Sequence, residues 1–100
     1  MSETTLRSSG KPLFPLGQIV ATPGALAALD LAGVVAETLL DRHGSGDWGN
    51  LGEDDRQMNV QALTSGERLL SAYVLRDATR LWIITEADRS ATTLLLPSDY

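Results

Sequence analysis

One hundred residues support a single domain with one core, and a chain of this size buries roughly two-thirds of the surface it exposes when unfolded. A hydrophobic fraction of 43% argues against wholesale disorder, and the absence of cysteine excludes a disulfide framework, a thiolate zinc site and a cysteine nucleophile together. The net charge of −5, with eight scattered basic residues, argues against a phosphate-backbone binder, which needs a basic face; it suits a solvated surface or a basic protein partner.

Residues 1–11 are polar and aperiodic, and are expected to form a flexible tail ahead of one α+β domain over residues 12–100. The apolar runs are short, as at Leu94 to Leu96, far below the roughly 20 residues of a membrane span. The start Met1-Ser-Glu-Thr-Thr-Leu-Arg7 has no apolar stretch of a signal peptide, so the expected location is cytoplasmic.

Lys11 to Gly17 carries two prolines at three-residue spacing and reads as an extended segment, with Leu13, Phe14 and Leu16 available to pack. Gln18 to Ala21 suits a short strand. Thr22 then reads as a helix N-cap with Pro23 at the first helical position, where its missing N–H is harmless. Gly33 ends that helix. A second helix is expected over Val34 to His43, with Arg42 and His43 in its last turn, where cations suit the dipole, and Gly44 closing it. A third helix starts near Glu53-Asp54-Asp55, presents Met58, Ala62 and Leu63 inward, and stops at Thr64-Ser-Gly66. From Glu67 the period changes to two. Strands over Leu69 to Leu75, Arg80 to Thr85 and Ser90 to Leu96 are separated by charged turns and form an antiparallel meander. The expected fold is therefore α+β, with two or three N-terminal helices packed on a three- or four-stranded antiparallel β-meander.

Three constellations carry chemical possibilities. His43 lies beside a glycine-rich loop that contains Ser45, Asp47 and Trp48. Histidine is the natural acid or base near neutral pH, but a helix-end position and a loop-anchoring tryptophan explain the same residues structurally. Glu86, Asp88 and Arg89 lie in the turn between two strands. A carboxylate base at Glu86 and a cation at Arg89 suit metal-independent RNA cleavage, and a solvated turn with a surface ion pair explains them equally. Glu53, Asp54 and Asp55 lack the spacing of a calcium loop and fit a helix start, so no metal and no cofactor is expected.

The segments Phe14 to Leu26, Arg42 to Gly49, Trp82 to Ser90 and Leu94 to Tyr100 resemble a family of small proteins carried on plasmids and integrative elements. Its members are labelled plasmid-related proteins and are loosely associated with restriction–modification loci. The resemblance spans roughly residues 12–100, implies a mobile-element context, and brings no catalytic residue with it. One departure is the turn Arg76-Asp-Ala-Thr79, which lacks the Asp-Gly expected there. A second, architectural resemblance is to barnase-like and toxin-type ribonucleases, which also place helices before an antiparallel sheet.

The leading reading is a non-enzymatic accessory or inhibitor protein of the anti-restriction or anti-CRISPR type. It would bind a host defence or nucleic-acid-handling protein through exposed residues near Asp47, Trp48, Glu86, Asp88 and Arg89. It expects a protein partner, no membrane and no direct nucleic-acid contact, and leaves a homo-oligomer open. The alternative is a small ribonuclease with Glu86 as base, Arg89 as phosphate clamp and His43 as acid; it requires the three to share one cleft.

Overall fold

The computed structural model describes residues 12–100; the tail expected over residues 1–11 lies outside them. Strand β1 (Gln18–Ala21) leads into α1 (Pro23–Ala32), α2 (Ala36–Gly44) and α3 (Glu53–Ser65). Strands β2 (Leu69–Val74), β3 (Arg80–Thr85) and β4 (Ala91–Leu95) follow, and a 3-10 turn at Pro97–Asp99 ends the chain. The architecture is α+β. No single helix among the described residues is long and apolar enough to cross a membrane.

Local chemistry explains the helix boundaries. Thr22 caps α1 by accepting the Ala25 N–H at 3.1 Å, Pro23 takes the first turn, and Gly33 closes it in the left-handed conformation. The second helix starts later than its apolar pattern suggests, with Val35 as a cap that makes no side-chain bond, and it runs through Gly44 to stop at Ser45. Acids fill the first turn of α3, and Gly66 ends it in the left-handed region.

The sheet order is β1-β4-β3-β2. The meander is antiparallel, as expected, with Leu69 opposite Thr85 and Thr85 opposite Thr92. The fourth strand corrects the expectation of a wholly antiparallel sheet. β1 runs parallel to β4, Gln18 opposite Ala91 and Ala21 opposite Leu94, so the sheet is mixed. The helices are also not simply N-terminal, because β1 precedes them and the 3-10 turn follows the sheet. The intervening helices and hairpins bring β1 back beside the last strand in the same direction, a pairing that needs a long connection.

Alternate residues divide the sheet into two faces. On one face Tyr73, Leu75, Leu81, Ile83 and Leu94 pack against Ala25, Leu29, Leu39 and Leu40 of α1 and α2. Further along the same face Leu69 joins Phe14, Trp48 and Ala62 in a second cluster. The edge strand β2 is shielded on its open side. Ala72 exchanges backbone bonds with the loop at Trp48 and Asn50. Leu70 exchanges both of its bonds with the side-chain amide of Asn59, which donates to the carbonyl at 2.7 Å and accepts from the N–H at 3.1 Å. This use of Asn59 turns α3: the buried positions are Asn59 and Ala62, while Met58, expected inward, is 63% exposed.

Candidate functional site

His43 lies at the end of α2 with its ring wholly buried. Phe14 and Trp48 meet it edge-on, at centroid distances of 5.3 and 5.8 Å. Its hydrogen bonds form a chain with one direction. The Leu16 carbonyl can only accept, so the Thr92 hydroxyl donates to it at 2.6 Å. Thr92 Oγ1 therefore accepts from the Thr85 hydroxyl at 2.7 Å. Thr85 in turn accepts from His43 Nε2–H at 2.9 Å, which leaves Nδ1 to accept from the Ser71 hydroxyl at 2.6 Å. The chain satisfies a neutral imidazole completely. Burial pushes the His43 pKa down to about 4. The expected helix-end cation is thus a neutral core residue.

The loop beside it is held by its neighbours at every step. Trp48 is 4% exposed and stacks on Phe14 at 6.3 Å. Asp47 pairs with Arg42 through Oδ2 and Nε at 2.7 Å and accepts the Gly49 N–H at 3.2 Å. The bond from Arg42 holds the Asp47 carboxyl below its ordinary value. The Tyr73 hydroxyl donates to the Asp47 carbonyl at 2.6 Å, and burial pushes its pKa up to about 12. Arg56 donates to the carbonyls of Gly49 and Leu51. Gly49 has a φ of 75°, and a Cβ there would run into the Ala72 carbonyl and the Tyr73 ring, so only glycine fits.

Arg89 is taken up in the same way. Its guanidinium donates to the carbonyls of Ala62, Glu67, Glu86 and Ala87 at 2.7 to 3.2 Å, tying the end of α3 to the β3–β4 turn. It holds a left-handed φ of 61°, with the Asp88 side chain accepting the next N–H but one, from Ser90. Gly17 packs directly on this turn, where a Cβ would strike the Arg89 and Ser90 carbonyls. Glu86 and Asp88 point to solvent. His43 is sealed inside while Glu86 lies outside, so His43, Glu86 and Arg89 do not line one cleft. Of the residues expected at a binding surface, Trp48 is buried and Arg89 bonds to carbonyls of its own chain, while Asp47, Glu86 and Asp88 stay exposed. At the start of α3, Glu53 accepts from Gln57 at 2.9 Å. Among the described residues no group of three or more His, Asp or Glu is placed to hold a metal ion.

A concave surface lies on the opposite face of the sheet, and His43, Asp47, Trp48, Glu86, Asp88 and Arg89 do not line it. Leu70, Trp82 and Ile84 form the floor of a groove of about 390 Å³. Asp55, Met58 and Asn59 of α3 form one wall, and Glu67, Arg68 and Tyr100 complete the rim. Tyr100 meets Trp82 edge-on at 5.8 Å and 68°, and the Arg68 guanidinium lies 5.4 Å from the Tyr100 ring centre. The C-terminal turn positions Tyr100. Asp99 accepts from the Thr22 hydroxyl at 2.6 Å and from the Leu96 N–H at 3.0 Å, bonds that hold its carboxyl below the ordinary value.

Such a volume is in the range of ligand and peptide-anchor pockets, and its lining mixes aromatic, aliphatic and charged groups. Sequence reasoning missed it, although one signal exists. The strand Arg80-Leu-Trp-Ile-Ile-Thr85 is apolar at consecutive positions, not alternate ones, so both faces of the sheet need cover. Helices α1 and α2 cover only one. No protein family, curated protein or solved structure matches the chain.

Proposed function

We propose that this chain is a non-enzymatic accessory or inhibitor protein of a mobile genetic element, and that it binds a host defence or nucleic-acid-handling protein in the cytoplasm through the groove between α3 and the sheet. The observation that carries the binding role is the pairing of Trp82 with Tyr100 at the mouth of that groove, with Arg68 beside them. Aromatic and arginine side chains in a concave, partly apolar setting are the usual anchors of protein interfaces. The groups that a ribonuclease would use support this reading by their placement, since His43 is enclosed and Arg89 bonds four carbonyls of its own chain. The mobile-element context rests on the resemblance of the four sequence segments, and the net charge of −5 favours a basic partner surface.

Affinity capture from a host lysate, with mass spectrometry, tests the proposal when wild type and Trp82→Ala are run side by side. The expected result is a defence or nucleic-acid-handling protein retained by wild type and lost at least tenfold with Trp82→Ala, about 1.4 kcal/mol. Equal capture by both proteins would move the interface away from the groove.

A further inference from the structure

Building on the groove as the interaction surface, we infer that it recognises a cationic side chain: a partner segment that presents an arginine or lysine next to an apolar residue. The first support is the internal cation. Arg68 already places its guanidinium 5.4 Å from the centre of the Tyr100 ring, so a ring at this rim accepts a positive charge. The second is the corner between Trp82 and Tyr100. Two rings meeting at 68° offer adjoining π surfaces, and such corners attract cations through the ring quadrupoles.

Charge complementarity points the same way. The residues that line the cavity include two acids, Asp55 and Glu67, against one base, Arg68. An acidic segment would set its carboxylate against both of them, whereas a cation gains from each, and the chain's net charge of −5 assists its approach. The floor and wall suit the rest of such a side chain. Leu70 and Met58 provide apolar surface along which the methylene stem of a lysine or arginine lies while its head meets the carboxylates. An apolar neighbour in the partner segment then covers the remaining exposed part of Met58, which is 63% accessible.

The test uses three blocked tripeptides, acetyl-Leu-Xaa-Leu-amide, with arginine, neutral citrulline or glutamate at the centre. Binding to the full chain is read from the Trp82 indole N–H signal by NMR at low salt and at 0.5 M salt. The arginine peptide should bind at least tenfold more tightly than the citrulline peptide, with most of that difference lost at 0.5 M salt. The double variant Asp55→Asn with Glu67→Gln should lose a similar factor at an unchanged melting temperature. Equal binding of arginine and citrulline peptides, preference for glutamate, or no shift of the Trp82 signal at millimolar peptide would each overturn the inference. Loss of lysate capture by Trp82→Ala together with a flat charge series would keep the groove as an interface and remove the cation from it.

Discussion

Trp48 and Trp82 lie on opposite faces of one sheet, each beside a second aromatic ring and within reach of arginine chemistry. Trp48 stacks on Phe14, and Arg89 lies 5.8 Å from the Phe14 ring centre; Trp82 meets Tyr100, and Arg68 lies over it. The first group is closed. The Leu13 to Gly17 segment folds over His43, with the Leu13 N–H bonded to the Gly44 carbonyl and the Leu16 carbonyl bonded to Thr92. The second group is open, because the C-terminal turn supplies one ring and no covering segment among the described residues. Similar side chains therefore serve cohesion where a chain segment closes over them and stay partly exposed where none does.

The largest expected effect separates the two tryptophans. Trp48→Ala should cost about 3–5 kcal/mol in denaturant unfolding, as for a large buried aromatic, because it uncovers both Phe14 and His43. Trp82→Ala should cost no more than about 2 kcal/mol, since the ring is only partly buried. Equal losses would erase the distinction between a closed and an open site.

Acid sharpens it next. His43 binds protons less readily when folded, about 4 against an ordinary 6.5, so the unfolded chain takes up more protons between those values. Stability is complete above about pH 6.5 and falls as the pH drops toward 4, by roughly 3 kcal/mol in all. Urea unfolding from pH 7 to pH 4 measures the slope, and His43→Gln should flatten it. A slope that survives the substitution would place the acid sensitivity elsewhere.

Asn59 stands between the two regions, and its loss should be smaller. Asn59→Ala removes both bonds to Leu70 and should cost about 1–3 kcal/mol, with faster hydrogen exchange at the Leu70 amide. Unchanged exchange there would mean that α3 does not hold the edge of β2. The smallest change lies outside both regions. Ala78 adopts a φ of 72° in the β2–β3 turn, where Asp77 accepts the Thr79 N–H at 3.1 Å. The turn keeps the geometry that Asp-Gly would favour and strains an alanine to do so. Ala78→Gly should therefore stabilise the chain by about 0.5–1 kcal/mol without altering the behaviour of either tryptophan.

Much of the fold was legible because its signals are local. Thr22 and Pro23 start α1, glycine ends α1 and α3, and the change of period from Glu67 announces the meander. The anchoring of the Gly44 to Gly49 segment by Trp48 was legible for the same reason, since three glycines in six residues carry a large ordering cost. The inward face of α3 was not. Helical spacing favours Met58, but the open edge of β2 needed an amide, and Asn59 supplied it from across the chain.

The sequence by itself determined which segments become helix and which become strand, because caps, glycine stops and periodicity act within a few residues. Tertiary structure alone decided the rest. The direction of β1 depends on where the chain returns after two hairpins, and four mostly exposed residues carry no sign of parallel or antiparallel pairing. The neutrality of His43 depends on its burial, and its hydrogen bonds on Ser71 and Thr85, which lie 28 and 42 residues away. The groove joins Asp55, Trp82 and Tyr100 only once α3, the sheet and the C-terminal turn are packed. Hydrogen-bond direction, burial and concavity arise between distant parts of the chain, so no local reading of residues reaches them.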